Sequence, residues 1–319
     1  MAHAPAGRLM LLDSASMYFR AYHGVPDSFR SPDGEPVNAV RGFLDMTATL
    51  LRAHPPRRLV ACWDDTWRPA FRVALVPSYK SHRLAVGVDP RLNVEEVPPA
   101  LTPQIDVIVA VLAALGIARV GVDGFEADDV IGTLATHGPG PVDVVSGDRD
   151  LVQLVDDDTG VRLLYIGRGV RNLELLDDAA VRLKYGIPGR AYADLAAMRG
   201  DPSDGLPGVP GIGEKTAASL LQRWGSAEDL VAAADADDPA LAQRSKIAAA
   251  RDYLLAAVAA TRVRRDCPLP AYDDVLPAEP ADPERLLELA DRWGVESSVN
   301  RMLVAMRDAA SGGSAPAAG

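Results

Sequence analysis

Cysteine is scarce. Two residues in 319, Cys62 and Cys267, cannot staple a disulfide framework, and a reduced, cytoplasmic setting is expected. Long apolar runs are missing. None approaches the ~18 residues that span a bilayer, so no membrane partner is expected. The first seven residues lack the charged-then-apolar layout of a signal peptide. The five histidines are scattered, and no His/Cys set has zinc spacing. Ser14 and Ser146 sit in no nucleophilic-triad motif, and Asp13-Ser-Ala-Ser lacks the second acid of aspartyl phosphatases. Basic residues are outnumbered 33 to 44, giving a net charge of −11. That balance argues at first against a phosphate-rich partner, which normally meets a basic footprint.

The acids present are not scattered. Asp13, Asp64 and Asp148 follow short apolar runs at 8–12, 58–63 and 142–146. Such runs read as buried strands. In open α/β sheets, ligand sites lie just beyond the carboxyl ends of strands. Two like charges about 4 Å apart cost about 4 kcal/mol at an effective dielectric near 20. Several acids meeting at one sheet edge therefore call for cations between them.

Further acids come in blocks. Glu126-Ala-Asp-Asp129 opens a helix over 126–136. Acids in a first turn favour the positive end of the helix dipole, which explains one of them better than three. Asp148 and Asp150 follow a strand; a common Gly/Asp-rich turn is the plain alternative, but the apolar run before them and Leu151–Val155 after them favour a strand-to-helix turn, where a site would sit. Asp201 and Asp204 precede a Gly/Pro-rich hairpin that runs into a helix near Glu214. Free N–H groups at such a helix start bind phosphate without reading sequence, although a plain interhelical turn looks the same. Gly213-Glu-Lys-Thr is not a P-loop, because Glu214 separates the glycine from the lysine.

Positive charge is also clustered. Between Thr66 and Val88 there is no acid, but Arg68, Arg72, Lys80, His82 and Arg83 are present. Local potential steers a polyanion more than net charge does. A solvated loop or helix face would carry the same residues. The stretch 67–100 has five prolines and no clean period, and long irregular connections in compact domains are often functional.

Strand candidates at 8–12, 58–63, 118–122, 141–146 and 161–166 alternate with helical patterns such as 36–53 and 102–115, the latter ending at Gly116. That alternation predicts an α/β fold with a mostly parallel central sheet. The expected division is an α/β core at 1–176 with an arch at about 67–103, a helical region at 177–265, a helical extension at 266–307 and a disordered tail at 308–319.

Several segments together resemble the 5′-nuclease family, which includes the 5′→3′ exonuclease domain of bacterial DNA polymerase I, phage 5′-nucleases and flap endonucleases. They are Leu12-Asp13 with Arg20, Trp63-Asp64, Tyr79-Lys-Ser-His-Arg83, Gly124-Phe-Glu-Ala-Asp-Asp-Val-Ile-Gly132, Ser146-Gly-Asp-Arg-Asp150 with Gln153, and the run from Gly200 to Ala217. They fall in family order and cover about residues 8–305. No polymerase region follows, so the resemblance is to a stand-alone enzyme.

The resemblance implies a resolvase-like (PIN-like) sheet, a helical arch and a helix–three-turn–helix element. It implies that Asp13, Asp64, Glu126, Asp128 and Asp148 surround a first metal, and that Asp150, Asp201 and Asp204 form a second group. Asp129 matches a further family acid acting through water. Lys80 and Arg83 match a basic pair at the scissile phosphate, and Arg20 a phosphate contact. Tyr79, Arg68, Arg72, Gly208, Gly211, Gly213, Lys215 and Thr216 are expected to touch DNA. Two Mg²⁺ ions, replaceable by Mn²⁺, are expected, with K⁺ at the hairpin and Ser203 as its hydroxyl ligand. The expected partner of a monomeric chain is branched or 5′-ended duplex DNA, or the RNA–DNA hybrid of primers. The sequence departs from the pattern at Phe19, where Tyr is frequent, at Arg149, where Lys is common, and at Gly205, where Asn often follows the acid. Two other readings compete. One is a non-catalytic binder of branched DNA. The other is a PIN-type ribonuclease, although those proteins are usually shorter and lack the hairpin.

Overall fold

The computed structural model describes residues 7–311. Its centre is a six-stranded sheet: β1 (Leu9–Asp13), β2 (Arg58–Trp63), β3 (Ala118–Gly121), β4 (Val142–Ser146), β5 (Val161–Tyr165) and β6 (Glu174–Leu176). The strand order is β3-β2-β1-β4-β5-β6. The first five strands are parallel, and β6 runs antiparallel to β5. Successive side chains of β1 point to opposite faces, as strand geometry requires. Leu9 and Leu11 enter one core, Met10 and Leu12 the other. Covering on both faces is why these strands read as unbroken apolar runs and not as alternating ones.

Thirteen helices are assigned among the described residues. Around the sheet lie α1 (Ser14–Gly24), α2 (Asn38–Ala53), α3 (Ala70–Leu75), α4 (Thr102–Leu115) and α5 (Ala127–His137). The helical region holds α6 (Asp178–Tyr185), α7 (Tyr192–Arg199), α8 (Glu214–Trp224), α9 (Ala227–Asp235), α10 (Arg244–Ala249) and α11 (Arg251–Thr261). It shares the α5 face of the sheet, where Tyr192, Leu195, Leu220 and Leu254 continue the same core as Val130 and Ile131. The chain then returns through α12 (Pro283–Trp293) and α13 (Glu296–Ala310) to the opposite face, where Leu286, Val299 and Met302 pack with Phe43, Leu44 and Ile108. Gly116 closes α4 with a left-handed φ of 79°, as expected.

Two expectations about the elements need correction. The strand β6 carried no visible signal, because three residues are too few to show a period. The tail does not begin at 308: α13 continues to Ala310, since Ala309 is buried against the α2 side of the core. The rest of the expected tail, 312–319, lies outside the described residues.

Topology places the site. After β1 the chain moves outward to β2 and β3, then crosses back to β4 on the other side of β1. The crevice beyond the ends of β1 and β4 is the switch point where open α/β sheets bind ligands. Asp13 ends β1, and Ser146 ends β4 two residues before Asp148. The connection from β2 to α4 rises beside this crevice. Its two sides are bridged by Leu84 with Glu95.

Candidate metal and nucleic-acid site

A cavity of about 840 Å³ opens at the switch point. Asp13, Asp64, Glu126, Asp128 and Asp148 line it, together with Lys80 and Arg83. Each acid is held differently. Asp13 caps α1 by accepting from Ser16 N at 3.1 Å, and its other oxygen accepts from Ser146 Oγ at 2.5 Å. Asp64 accepts from Ala127 N at 2.7 Å, the first residue of α5. Glu126 Oε2 accepts from Tyr79 Oη at 3.2 Å and pairs with Lys80 Nζ at 2.5 Å. Asp148 accepts from Asp150 N at 2.9 Å.

Burial and mutual repulsion set the charge state. The Asp13 carboxyl is pushed up to about 7, first by burial and further by Asp64 and Asp148 beside it, against the Ser146 hydrogen bond. Asp128 is pushed well up by burial, then by Asp148 and Asp13. Asp64 is raised by burial, then by Glu126. Burial works against the Lys80 ammonium, but Glu126 overrides it and holds the lysine well above its ordinary range. A second group adjoins the first through Asp148. Asp150 is raised by burial, then by Asp148, Asp204 and Asp201. Asp204 is raised to about 6 by burial, with Lys80 opposing.

The donor set is all oxygen, which suits a hard divalent cation. Two buried carboxylate oxygens lack a hydrogen-bond donor among the described residues. Asp150 Oδ1 has none, and Glu126 Oε1 has only Arg72 Nη1 at 3.5 Å. The residues therefore fit metal ions, although among the described residues no three acids, histidines or cysteines already close around one point as a cage. Lys80 is the cation among the acids instead.

The arch meets the hairpin directly. Lys80 N donates to Asp204 O at 3.0 Å, Ser78 Oγ to Gly205 O at 2.9 Å, and Arg83 Nη2 to Ser203 O at 3.1 Å. The hairpin 205–213 joins α7 to α8, pinned by buried Val209 and Ile212. Gly211, Gly213 and Lys215 are exposed at its tip, and Thr216 is half-buried behind them. Gly213 gives α8 no side-chain cap, so first-turn N–H groups remain open. Arg20 is not among the lining residues of the cavity; it packs beside Gly147, which is, and donates to Gly167 O at 3.2 Å. Asp65, the extra acid beside Asp64, is paired with Arg119.

Five expected roles are revised by this geometry. Asp129 faces away from the cavity: both its oxygens are taken by Arg72, at 2.7 and 2.6 Å. Arg72 is thereby buried and not a DNA contact. Arg68 is buried too, donating to Tyr79 O at 2.5 Å, Pro77 O at 3.1 Å and Asn93 Oδ1 at 3.2 Å. It braces the arch from inside. Gly208 spends its amide on Tyr253 Oη at 2.8 Å. Ser203 is not among the five: its hydroxyl donates to Asp201, which leaves its oxygen lone pairs open to a cation. Tyr79 is also enclosed, against Glu126.

Sequence reasoning missed three participants. Ser146 orients Asp13, and only its place at a strand end hinted at it. Asn93 ties Trp67 to Arg68 across the arch, with nothing local to signal it. Lys246 reaches Gly211 O at 3.1 Å from α10, a contact across 35 residues.

Family models match both parts of the chain: the 5′-3′ exonuclease N-terminal resolvase-like domain over residues 8–186, and the 5′-3′ exonuclease C-terminal SAM fold over 187–284. The chain belongs to the 5′-3′ exonuclease family. A 5′-3′ exonuclease of Streptomyces coelicolor is 56% identical over 299 residues, covering 93% of this chain and 99% of that protein. A 5′-3′ exonuclease of Mycobacterium tuberculosis is 54% identical, with 93% and 97% covered. The enzyme also matches DNA polymerase I of Mycobacterium bovis at 41% identity over 89% of this chain, but only 30% of that polymerase. In fold it is similar to the T5 D15 protein co-crystallised with metal ions, with a TM-score of 0.60, 16% identity and 95% and 99% coverage. It is likewise similar to human GEN1 in complex with Holliday junction DNA, with a TM-score of 0.61, 16% identity and 98% and 76% coverage.

Proposed function

We propose that this 5′-3′ exonuclease is a structure-specific DNA nuclease that also cuts 5′ flaps, serving replication and repair with two Mg²⁺ ions. The observation that carries this reading is one cavity with an acidic floor and the cations Lys80 and Arg83 at its side. Asp13, Asp64, Glu126, Asp128 and Asp148 would hold one ion, and Asp150, Asp201 and Asp204 the other. Mn²⁺ would substitute. When bound, the ions would supply a nucleophile at neutral pH and offset charge on the leaving oxygen.

The chain's own groups do the rest. Lys80 and Arg83 stabilise charge that grows on the scissile phosphate. Ser146 and Ala127 N fix the orientations of Asp13 and Asp64. Arg20, packed beside Gly147, contacts a neighbouring phosphate. Gly211, Gly213, Lys215 and Thr216 grip the duplex backbone, which positions DNA without reading bases. K⁺ at the hairpin carbonyls remains part of the reading, with Lys246 already on Gly211 O. The substrate is branched or 5′-ended duplex DNA, or a primer hybrid, acted on by a cytoplasmic monomer. No described helix is long and apolar enough to cross a membrane.

The test is cleavage of an end-labelled 5′-flap duplex in Mg²⁺ and in EDTA, with the double variant Asp148→Asn, Asp150→Asn alongside. Cutting only by the wild type and only with metal supports the reading. Full activity in the double variant refutes it.

A further inference from the structure

The turn Asp201–Leu206 is pressed against the base of the arch at three points, through Ser203, Asp204 and Gly205. At the closest of them there is no room for a side chain. Gly205 has a φ of +71°, and a Cβ there would lie far inside van der Waals contact of the Ser78 carbonyl oxygen, 3.1 Å from its carbon and 3.5 Å from Lys80 N. The obstacle is backbone and not a flexible tip, so admitting a side chain would require the turn or the Ser78–Lys80 backbone to shift.

On the other side of this contact stands Lys80. It is one of three non-glycine residues with positive φ among those described, at 47°. For a lysine that conformation is uncommon and needs outside support. The support visible is its amide on Asp204 O at 3.0 Å and the Tyr79 carbonyl on Arg68 Nε at 2.5 Å. With its backbone so held, its ammonium reaches Glu126 in the cavity.

We propose that Gly205 is a positioning residue for Lys80: by carrying no side chain, it lets the turn seat on Ser78–Lys80 and fixes the backbone that aims the lysine into the cavity. The hairpin that begins at Gly205 and the arch are then one mechanical unit. This rests on the nuclease reading above for the role of Lys80.

The test uses the full-length enzyme carrying Gly205→Ala. A displacement of about 1 Å in a reacting group can cost about 100-fold in rate. We expect kcat on a 5′-flap duplex to fall by about that factor. KM should change less than about threefold, since the exposed hairpin tip is untouched. Hydrogen exchange, measured without DNA, should show the Lys80 amide losing protection while core amides keep theirs. An unchanged Lys80 amide, or kcat within about twofold of wild type, overturns the proposal. If Gly205→Ala does not fold, Ser78→Ala decides. It removes one of the three contacts, and unaltered Lys80 exchange in that variant sinks the idea. A wild type that cuts no flap would instead defeat the functional reading, and the exchange data would still judge the positioning.

Discussion

Arg72 and Asp129 meet end-on in the interior, two parallel hydrogen bonds of 2.7 and 2.6 Å joining α3 to α5. Arg72 is 2% exposed and Asp129 is 0% exposed. The pair is fully bonded: Arg72 Nε donates to Ala260 O at 2.8 Å, and Asp129 also accepts from Arg264 N at 2.8 Å and Glu126 N at 3.2 Å. An acid thus satisfied has no oxygen left for a metal. Breaking a buried pair from one side leaves a bare charge and costs about 3–5 kcal/mol. Asp129→Asn should lower the melting temperature by on the order of 10 °C. At a temperature where the variant is folded, calorimetry should find its Mn²⁺ affinity within about threefold of wild type. A large loss of affinity with normal stability would return Asp129 to the metal site.

The pair also shows what the sequence could not reveal. Arg68, Arg72, Lys80 and Arg83 share one acid-free stretch, and nothing in their spacing says which turn inward. Asp129 looked like its neighbours Glu126 and Asp128, because helical spacing gives a face but not what lies against it. The strands were legible for a simple reason: β1, β2 and β4 are covered on both sides, so burial writes itself as an apolar run. The acids of the cavity were legible because each ends or follows such a run, or opens a helix. Asn93, Tyr253 and Lys246 act through contacts distant in sequence, which no local pattern records.

Lys80 is the internal counter-ion of the cavity. It pairs with Glu126 at 2.5 Å with 12% and 2% of the two side chains exposed. Any divalent ion bound by Glu126 competes with it. Lys80→Met should therefore lower the melting temperature without metal and enlarge the rise that Mg²⁺ produces. Cleavage should fall by about 100-fold or more if the ammonium stabilises the reacting phosphate. Differential scanning fluorimetry with and without Mg²⁺ reads the first two effects. A smaller Mg²⁺-induced rise than in wild type would contradict the competition.

Lys246 stands exposed at Gly211, where duplex DNA would lie. Each phosphate neutralised contributes about −0.9 to the slope of log K against log salt. Lys246→Gln should weaken duplex binding equally across sequences and flatten that slope by about one contact. Arg68→Gln, a change inside the arch, should leave the slope as it is. Fluorescence anisotropy over a salt series separates the two.

Gly208 has a φ of +76°, and a Cβ there would lie 2.6 Å from Arg199 O. Its amide is tied to Tyr253. Gly208→Ala should deform the hairpin itself, raising KM for DNA more than it lowers kcat. Steady-state kinetics on one flap substrate should show that split. A fall in kcat alone would mean that the hairpin does not grip the duplex.

The central claim is that acids from the ends of β1, β2 and β4, the start of α5 and the 201–204 turn together hold divalent cations. Anomalous diffraction from a crystal soaked in Mn²⁺ tests it most directly. The account predicts peaks inside the cavity, one bounded by Asp13, Asp64, Glu126, Asp128 and Asp148 and one towards Asp150, Asp201 and Asp204. A well-soaked crystal with no peak among these carboxylates would contradict it.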